Sequence, residues 1–298
     1  MSGDADDTRA RTYREDVVYT SSEDDLLLEG ALMRPVGVPA QPVSVVWIHG
    51  NASRFYDYPY MVIGRALAMA GYPCVSGNTR GHDISAFMWR ASEGKPSSWS
   101  SPESMPIGAG SAWEQLDEAP RDLAAWVDLA AGLGTGGVVL AGHSSGAQRV
   151  VLYQAERQDP RVVGLALASP DLRGFMPPGE LEAARRLVAG GRGTEVLPAQ
   201  PYAPWYRQSA QSVVSKAAIL ARLLVSETGE PTIAAISTPL LAFFGTREQG
   251  GEGALETIRR QAHAARVDTQ LIEDADHAYT THEADVAGVI ARWAATLS

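Results

Sequence analysis

The chain has 298 residues, 45% of them hydrophobic and 20% charged, with 29 Gly and 18 Pro, which suits one large α/β domain with room for an insertion. A formal net charge of -10 without a basic cluster argues against nucleic acid and anionic membrane as partners. No run of about 18 apolar residues predicts a membrane span, and the polar, acidic stretch Met1–Arg14 reads as neither a secretory signal nor an anchor.

Residues 1–13 are expected to form a disordered tail. Asp16–Ser21 and Leu26–Met33 then read as strands around the polar turn Ser22-Glu23-Asp24-Asp25, a leading antiparallel hairpin. Val43–Ile48 is apolar almost throughout, as in a strand buried on both faces, and runs into His49-Gly50-Asn51. A helix is predicted over Tyr58–Gly71, with Met61, Ile63, Ala66, Leu67 and Ala70 on its apolar side. The next strand, Pro73–Gly77, carries Cys74. A single cysteine forms no internal disulfide, its apolar neighbours point to core packing, and the usage fits a reducing cytoplasm. Asn78–Asp83 is a polar turn at that strand's end, and the long segment Ile84–Ala112 carries Phe87, Met88, Trp89 and Trp99. Segments of this length inside a domain are usually functional or mobile.

Apolar spacing predicts a helix over Glu114–Ala131 with Pro120 in its first turns, and Gly132–Gly137 ends it. The run Val138-Val139-Leu140-Ala141 is a buried strand, followed by Gly142-His143-Ser144-Ser145-Gly146 and a helix to about Gln158. Val162–Ala168 is a further strand, ending in Ser169-Pro170-Asp171. Residues 172–236 interrupt the alternation, with helical stretches Glu180–Ala189 and Ser215–Glu227 on either side of an aromatic, Pro-rich segment. The alternation resumes with strand Pro239–Gly245, a helix over Gly253–Ala265, strand Thr269–Ile272 and a final helix over Glu283–Thr296. The expected organisation is therefore a tail (1–13), a core in two parts (14–171 and 237–298) and a lid inserted between them (172–236). Repeated strand–helix units imply a mostly parallel central sheet with helices on both faces. In such sheets the active residues gather at the carboxyl ends of the strands.

The polar clusters of this chain fall at those ends. A strand turning straight into a helix at Gly-x-Ser-x-Gly holds its serine in a strained backbone conformation with the hydroxyl exposed, so Ser144 is the candidate nucleophile. A serine hydroxyl needs a base, a carboxylate to orient the base, and donors for an oxyanion. His277, just after the last strand, is the candidate base. Glu248, on the loop after Phe243-Phe244-Gly245, is the favoured acid, with Asp171 as the alternative. The backbone N–H groups of Ser145 and Asn51 are the candidate oxyanion donors. Phe87, Trp89, Phe175, Met176, Tyr202, Trp205 and Tyr206 are candidates to line an apolar or aromatic substrate pocket. No metal-ligand spacing or phosphate-binding glycine loop is present, so no metal and no cofactor are expected.

His49-Gly50, the Gly142–Gly146 turn, a late acid and His277, in the order nucleophile, acid, histidine, closely resemble the α/β-hydrolase superfamily from about residue 15 onward. Within it, Asn78-Thr79-Arg80-Gly81-His82-Asp83 and Gly191-Arg192-Gly193 resemble a subgroup that includes fungal esterases acting on siderophore-type substrates. The resemblance implies an α/β-hydrolase fold with a helical lid. Two departures stand out: Glu248 occupies the position where Asp is usual, and the donor loop reads His-Gly-Asn, not His-Gly-Gly-Gly. A serine nucleophile argues against the haloalkane dehalogenase and epoxide hydrolase branches.

The expected activity is a cytoplasmic serine hydrolase cleaving a small carboxylic ester, thioester or lactone through an acyl-enzyme on Ser144. Two alternatives remain open: an acyltransferase, cyclase or lyase using the same triad, and a ligand-binding protein on the hydrolase scaffold.

Overall fold

The computed structural model describes residues 13–92, 95–96, 106–172, 179–199, 206–226 and 229–297. Residues 1–12 of the tail expected over 1–13 lie outside these, and its last residue, Tyr13, belongs instead to the first strand. β1 (Tyr13–Ser21) and β2 (Leu27–Pro35) pair antiparallel in the hairpin read from the sequence. β3 (Val43–Ile48) leads through α1 (Tyr58–Met69) to β4 (Cys74–Gly77), which pairs parallel to β3 and antiparallel to β2. Two short antiparallel ribbons follow, β5 (Ala86–Met88) with β8 (Ile107–Ala109), and β6 (Ala91–Ser92) with β7 (Lys95–Pro96). Next come α2 (Ala119–Ala131), β9 (Gly137–His143), α3 (Ser145–Arg157) and β10 (Val162–Ala168).

After β10 come α4 (Glu180–Ala189) and α5 (Ala210–Leu220), then β11 (Leu240–Gly245), α6 (Gly251–Gln261), β12 (Val267–Ile272) and α7 (Glu283–Ala294). The sheet has eight strands in the order β1-β2-β4-β3-β9-β10-β11-β12, parallel from β4 to β12. β9, which carries the serine turn, lies inside the sheet between β3 and β10.

Alternation along the buried strands builds two cores, because successive side chains point to opposite faces. Val46, Ile48, Leu140, Leu165, Leu167 and Phe244 pack with Trp126 of α2, Val150 of α3 and Ile258 of α6. Val45, Trp47, Val139, Ala141, Ala166 and Phe243 pack on the other face with Ile63 and Leu67 of α1 and Ile290 and Trp293 of α7. α4 and α5 share a small core of their own around Ala184, Leu197, Ala210 and Val213.

Two helices start elsewhere than the sequence predicts. α2 begins at Ala119, after a 3-10 turn over Leu116–Glu118, with Pro120 in its first turn, where a missing N–H costs nothing. Glu114, read as its first residue, instead turns its carboxylate inward to Arg149. α5 begins at Ala210, not Ser215, because Ser209 is the cap: its Oγ accepts the N–H of Ser212 at 3.3 Å. Ser215 lies within the helix and accepts the N–H of Leu116.

Candidate active site

Ser144 sits between β9 and α3 with φ 53° and ψ −118°, a conformation that L residues rarely adopt. Two glycines permit it. A Cβ on Gly142 would lie 2.4 Å from the backbone of Gly146, and one on Gly146 would lie 2.4 Å from the carbonyl oxygen of Ile48. The Ser144 N–H donates to Ala168 O at 2.8 Å, which pins the turn to β10. The strained backbone, costing about 1–3 kcal/mol, is thus held by a strand on each side.

His277 lies on the loop between β12 and α7, and its Nδ1 is 2.6 Å from Glu248 Oε2. A carboxylate only accepts, so Nδ1 carries the proton and Nε2 keeps its lone pair; the tautomer is assigned from the partner. Glu248 Oε1 accepts from Ser169 Oγ at 2.5 Å and from the Gly245 N–H at 2.9 Å. Since the Ser169 hydroxyl donates to the carboxylate, the buried Tyr279 hydroxyl, 2.6 Å away, donates to Ser169. Burial alone would favour the neutral acid at Glu248. The hydrogen bonds from His277, Ser169 and Gly245 outweigh it and hold this carboxyl below its usual range. The hydrogen bond to Glu248 in turn raises the pKa of His277 against the opposing effect of partial burial. The charge of Asp171 adds to the rise, and its backbone carbonyl accepts from Gln148.

Ser144 and His277 line one cleft of about 560 Å³ together with Gly50, Asn51, Ser53, Asp57, Tyr58, Pro59, Tyr60, His143 and Ala278. Asn51 lies in the turn after β3, and the Ser145 N–H is the first of α3, where no intrahelical acceptor exists. Tyr206 reaches the rim of this site, its hydroxyl donating to Asn51 Oδ1 at 3.2 Å. Phe87 and Trp89 are not brought here. The β5–β8 ribbon leaves Phe87 76% exposed, and both border a separate cavity with His82 and Asn78. Phe175, Met176, Tyr202 and Trp205 lie outside the described residues. Among the described residues no set of three or more His, Cys, Asp or Glu is arranged to hold a metal ion.

The family model for the alpha/beta hydrolase family matches residues 45–290, a span containing the serine turn, both candidate acids and His277. The chain belongs to the alpha/beta hydrolase family. No curated protein matches it in sequence. The hydrolase is similar in structure to Est1E from Butyrivibrio proteoclasticus with ferulic acid bound, at 18% identity and TM-score 0.64 over 93% of this chain and 97% of that one. It is also similar to a soluble variant of monoglyceride lipase from Saccharomyces cerevisiae in complex with a substrate analogue, at 14% identity and TM-score 0.64 over 95% and 96%. A third is the monoacylglycerol lipase of Paleococcus ferrophilus, at 18% identity and TM-score 0.61 over 91% and 99%. At such identities the likeness speaks to the fold alone.

Sequence reading missed the groups that join the loops of the hydrolase's site. Tyr60, on α1, accepts the Gly50 N–H at 3.1 Å and donates to His143 Nδ1 at 2.9 Å. His143 Nε2–H donates to the carbonyl of His277 at 2.7 Å. Burial, and next the nearby His277, lower the His143 pKa to about 4, so it stays neutral in this bridge. One chain of hydrogen bonds therefore links the turn after β3, the serine turn and the histidine loop. Spacing offered no signal for Tyr60, whose position in α1 reads as ordinary core. No helix among the described residues is long and apolar enough to cross a membrane.

Proposed function

We propose that this hydrolase cleaves a carboxylic ester, thioester or lactone through an acyl-enzyme on Ser144. The observation that carries the reading is a strained serine sharing one cleft with a histidine whose far nitrogen is hydrogen-bonded to a buried-side carboxylate at 2.6 Å. Ser144 Oγ attacks the acyl carbon while His277 Nε2 takes its proton. Glu248 keeps the ring in the required tautomer and stabilises the imidazolium. The N–H groups of Asn51 and Ser145 receive the oxyanion. His277 then protonates the leaving group and activates water for deacylation. That two of the similar structures are lipases supports an ester as substrate class. Tyr58, Pro59, Tyr60 and Ala278 in the cleft support an apolar or aromatic substrate. In this reading residues 172–236 form the lid, and the single buried cysteine, Cys74, fits a cytoplasmic enzyme.

The test is a panel of p-nitrophenyl esters, thioesters and lactones with wild type and Ser144→Ala, together with a fluorophosphonate probe followed by peptide mapping. Turnover of at least one ester, its loss in Ser144→Ala and labelling at Ser144 are expected. Wild-type turnover by Ser144→Ala on every substrate cleaved would refute the acyl-enzyme. Product formed only with an added alcohol or amine acceptor would replace hydrolysis by acyl transfer.

A further inference from the structure

An oxyanion hole built from two backbone N–H groups works only if the two segments that supply them keep a fixed separation, since the donors must meet the oxygen at hydrogen-bond distance. In this chain the two segments are the turn after β3 and the start of α3, far apart in sequence. Arg149, one turn along α3 from Ser145, reaches both: its Nη1 donates to the His49 carbonyl at 3.2 Å and to Ser145 Oγ at 3.1 Å. Its Nε and Nη2 grip both oxygens of Glu114 at 2.6 and 2.8 Å, and both side chains are fully buried.

Fold stability alone does not call for such a pair, because apolar side chains of similar volume usually serve as well or better. Glu114 also faces Lys216 of α5 at 3.6 Å. The Lys216 ammonium donates to the Tyr206 hydroxyl at 3.3 Å, and that hydroxyl donates to Asn51 Oδ1. Despite burial, Arg149 and Lys216 hold the Glu114 carboxyl down at about 2. Two cations around one carboxylate leave a net positive charge behind the two donors, the sign that a developing oxyanion needs.

We propose that Arg149 is the positioning residue of the oxyanion hole, tying the His49–Asn51 turn to the first residue of α3, and that Glu114, Lys216 and Tyr206 carry the same hold to Asn51. The proposal rests on the acyl-enzyme reading above. Its test needs no known substrate, because a fluorophosphonate places its phosphoryl oxygen in the oxyanion hole as it reacts with Ser144. Labelling rates of wild type, Ser145→Ala, Tyr206→Phe, Arg149→Lys and Arg149→Met are measured against probe concentration, with urea unfolding as the control for folding.

The maximal labelling rate is expected to fall about 10-fold in Ser145→Ala and Tyr206→Phe and about 100-fold in Arg149→Met, the probe's half-saturating concentration staying within about twofold. Arg149→Lys is expected to recover part of the Arg149→Met loss. Wild-type maximal rates in both Ser145→Ala and Tyr206→Phe, or a loss confined to half-saturation, would overturn the proposal; these two mild variants decide it if the Arg149 variants do not fold. Absence of any labelling at Ser144 in wild type would instead sink the acyl-enzyme reading itself.

Discussion

At the scale of single residues, the candidate site is governed by who holds a proton. The hydrogen bond to Glu248 raises the His277 pKa; in the proposed mechanism His277 is the base and works only when neutral, so the acidic limb of kcat/KM is expected to follow that raised value. Glu248→Gln removes the raising partner. The limb is then expected to move to lower pH while the plateau falls about 10²–10⁴-fold, measured as kcat/KM against pH on any ester found to be cleaved. Asp171→Asn is expected to leave the plateau within about threefold and to move the limb slightly in the same direction, since the charge of Asp171 adds to the raised value of the ring. A collapse of activity in Asp171→Asn with activity retained in Glu248→Gln would reverse the roles given to the two acids. Ser169 and Tyr279 matter through Glu248. Ser169→Ala deletes one of the hydrogen bonds that keep that carboxyl ionised, and kcat is expected to fall about 10-fold with KM little changed, read from steady-state kinetics.

At the scale of elements, the turn from β9 into α3 is built around contacts too close for a side chain. Gly146→Ala would press a methyl group onto the carbonyls of Ile48 and His49, both backbone and unable to move aside. A loss of about 1–3 kcal/mol in urea unfolding is expected, with activity lost more completely than stability because the Ser144 backbone is displaced. Trp126 of α2 plays the matching part on the hairpin side. It is fully buried, its ring fills the space beside Gly77, and its indole N–H donates to Asn78 O at 2.8 Å. Trp126→Ala is expected to cost about 3–5 kcal/mol at an unchanged m-value, and an unaltered urea midpoint would contradict this packing account. Most elements were legible in the sequence because each buries a simple pattern: six consecutive buried residues in β3 and seven in β9 mark strands covered on both faces. The starts of α2 and α5 were not, because the inward turn of Glu114 to Arg149 and the anchoring of Ser209, whose N–H donates to Ala112 O at 2.7 Å, depend on partners distant along the chain.

At the scale of the whole hydrolase, stability should depend on pH through groups buried in one protonation state. Burial lowers His49 to about 3, with Arg149 adding to the effect, and His143 to about 4. Unfolded, each titrates near 6.5, so between that pH and its folded value the unfolded chain binds more protons. Stability is therefore lost as pH falls below about 6.5, by roughly 1.4 kcal/mol per pH unit for each histidine. Glu114 acts in the same direction lower down: its folded value of about 2 lies below its unfolded 4.5, so the stability it contributes is present above 4.5 and lost on the way to 2. A melting temperature that falls steadily as pH drops from 6.5 to 3 is expected by calorimetry. His143→Gln should reduce the upper part of that fall, and a melting temperature constant down to pH 4 would contradict the buried neutral histidines.

The sequence by itself determined the family, the alternating sheet with helices on both faces, and the strand ends at which Ser144, His277, Glu248, Asp171 and Asn51 stand, because hydrophobic period and glycine turns are local properties. Only the tertiary structure decided which carboxylate meets His277, that Phe87 and Trp89 stand apart from the serine's cleft, and that Tyr60, His143, Arg149 and Glu114 join its loops. Those are pairings between side chains separated by tens of residues. They exist only once β3, β9, β11 and β12 are laid side by side in register, and no pattern along the chain encodes the distance between them.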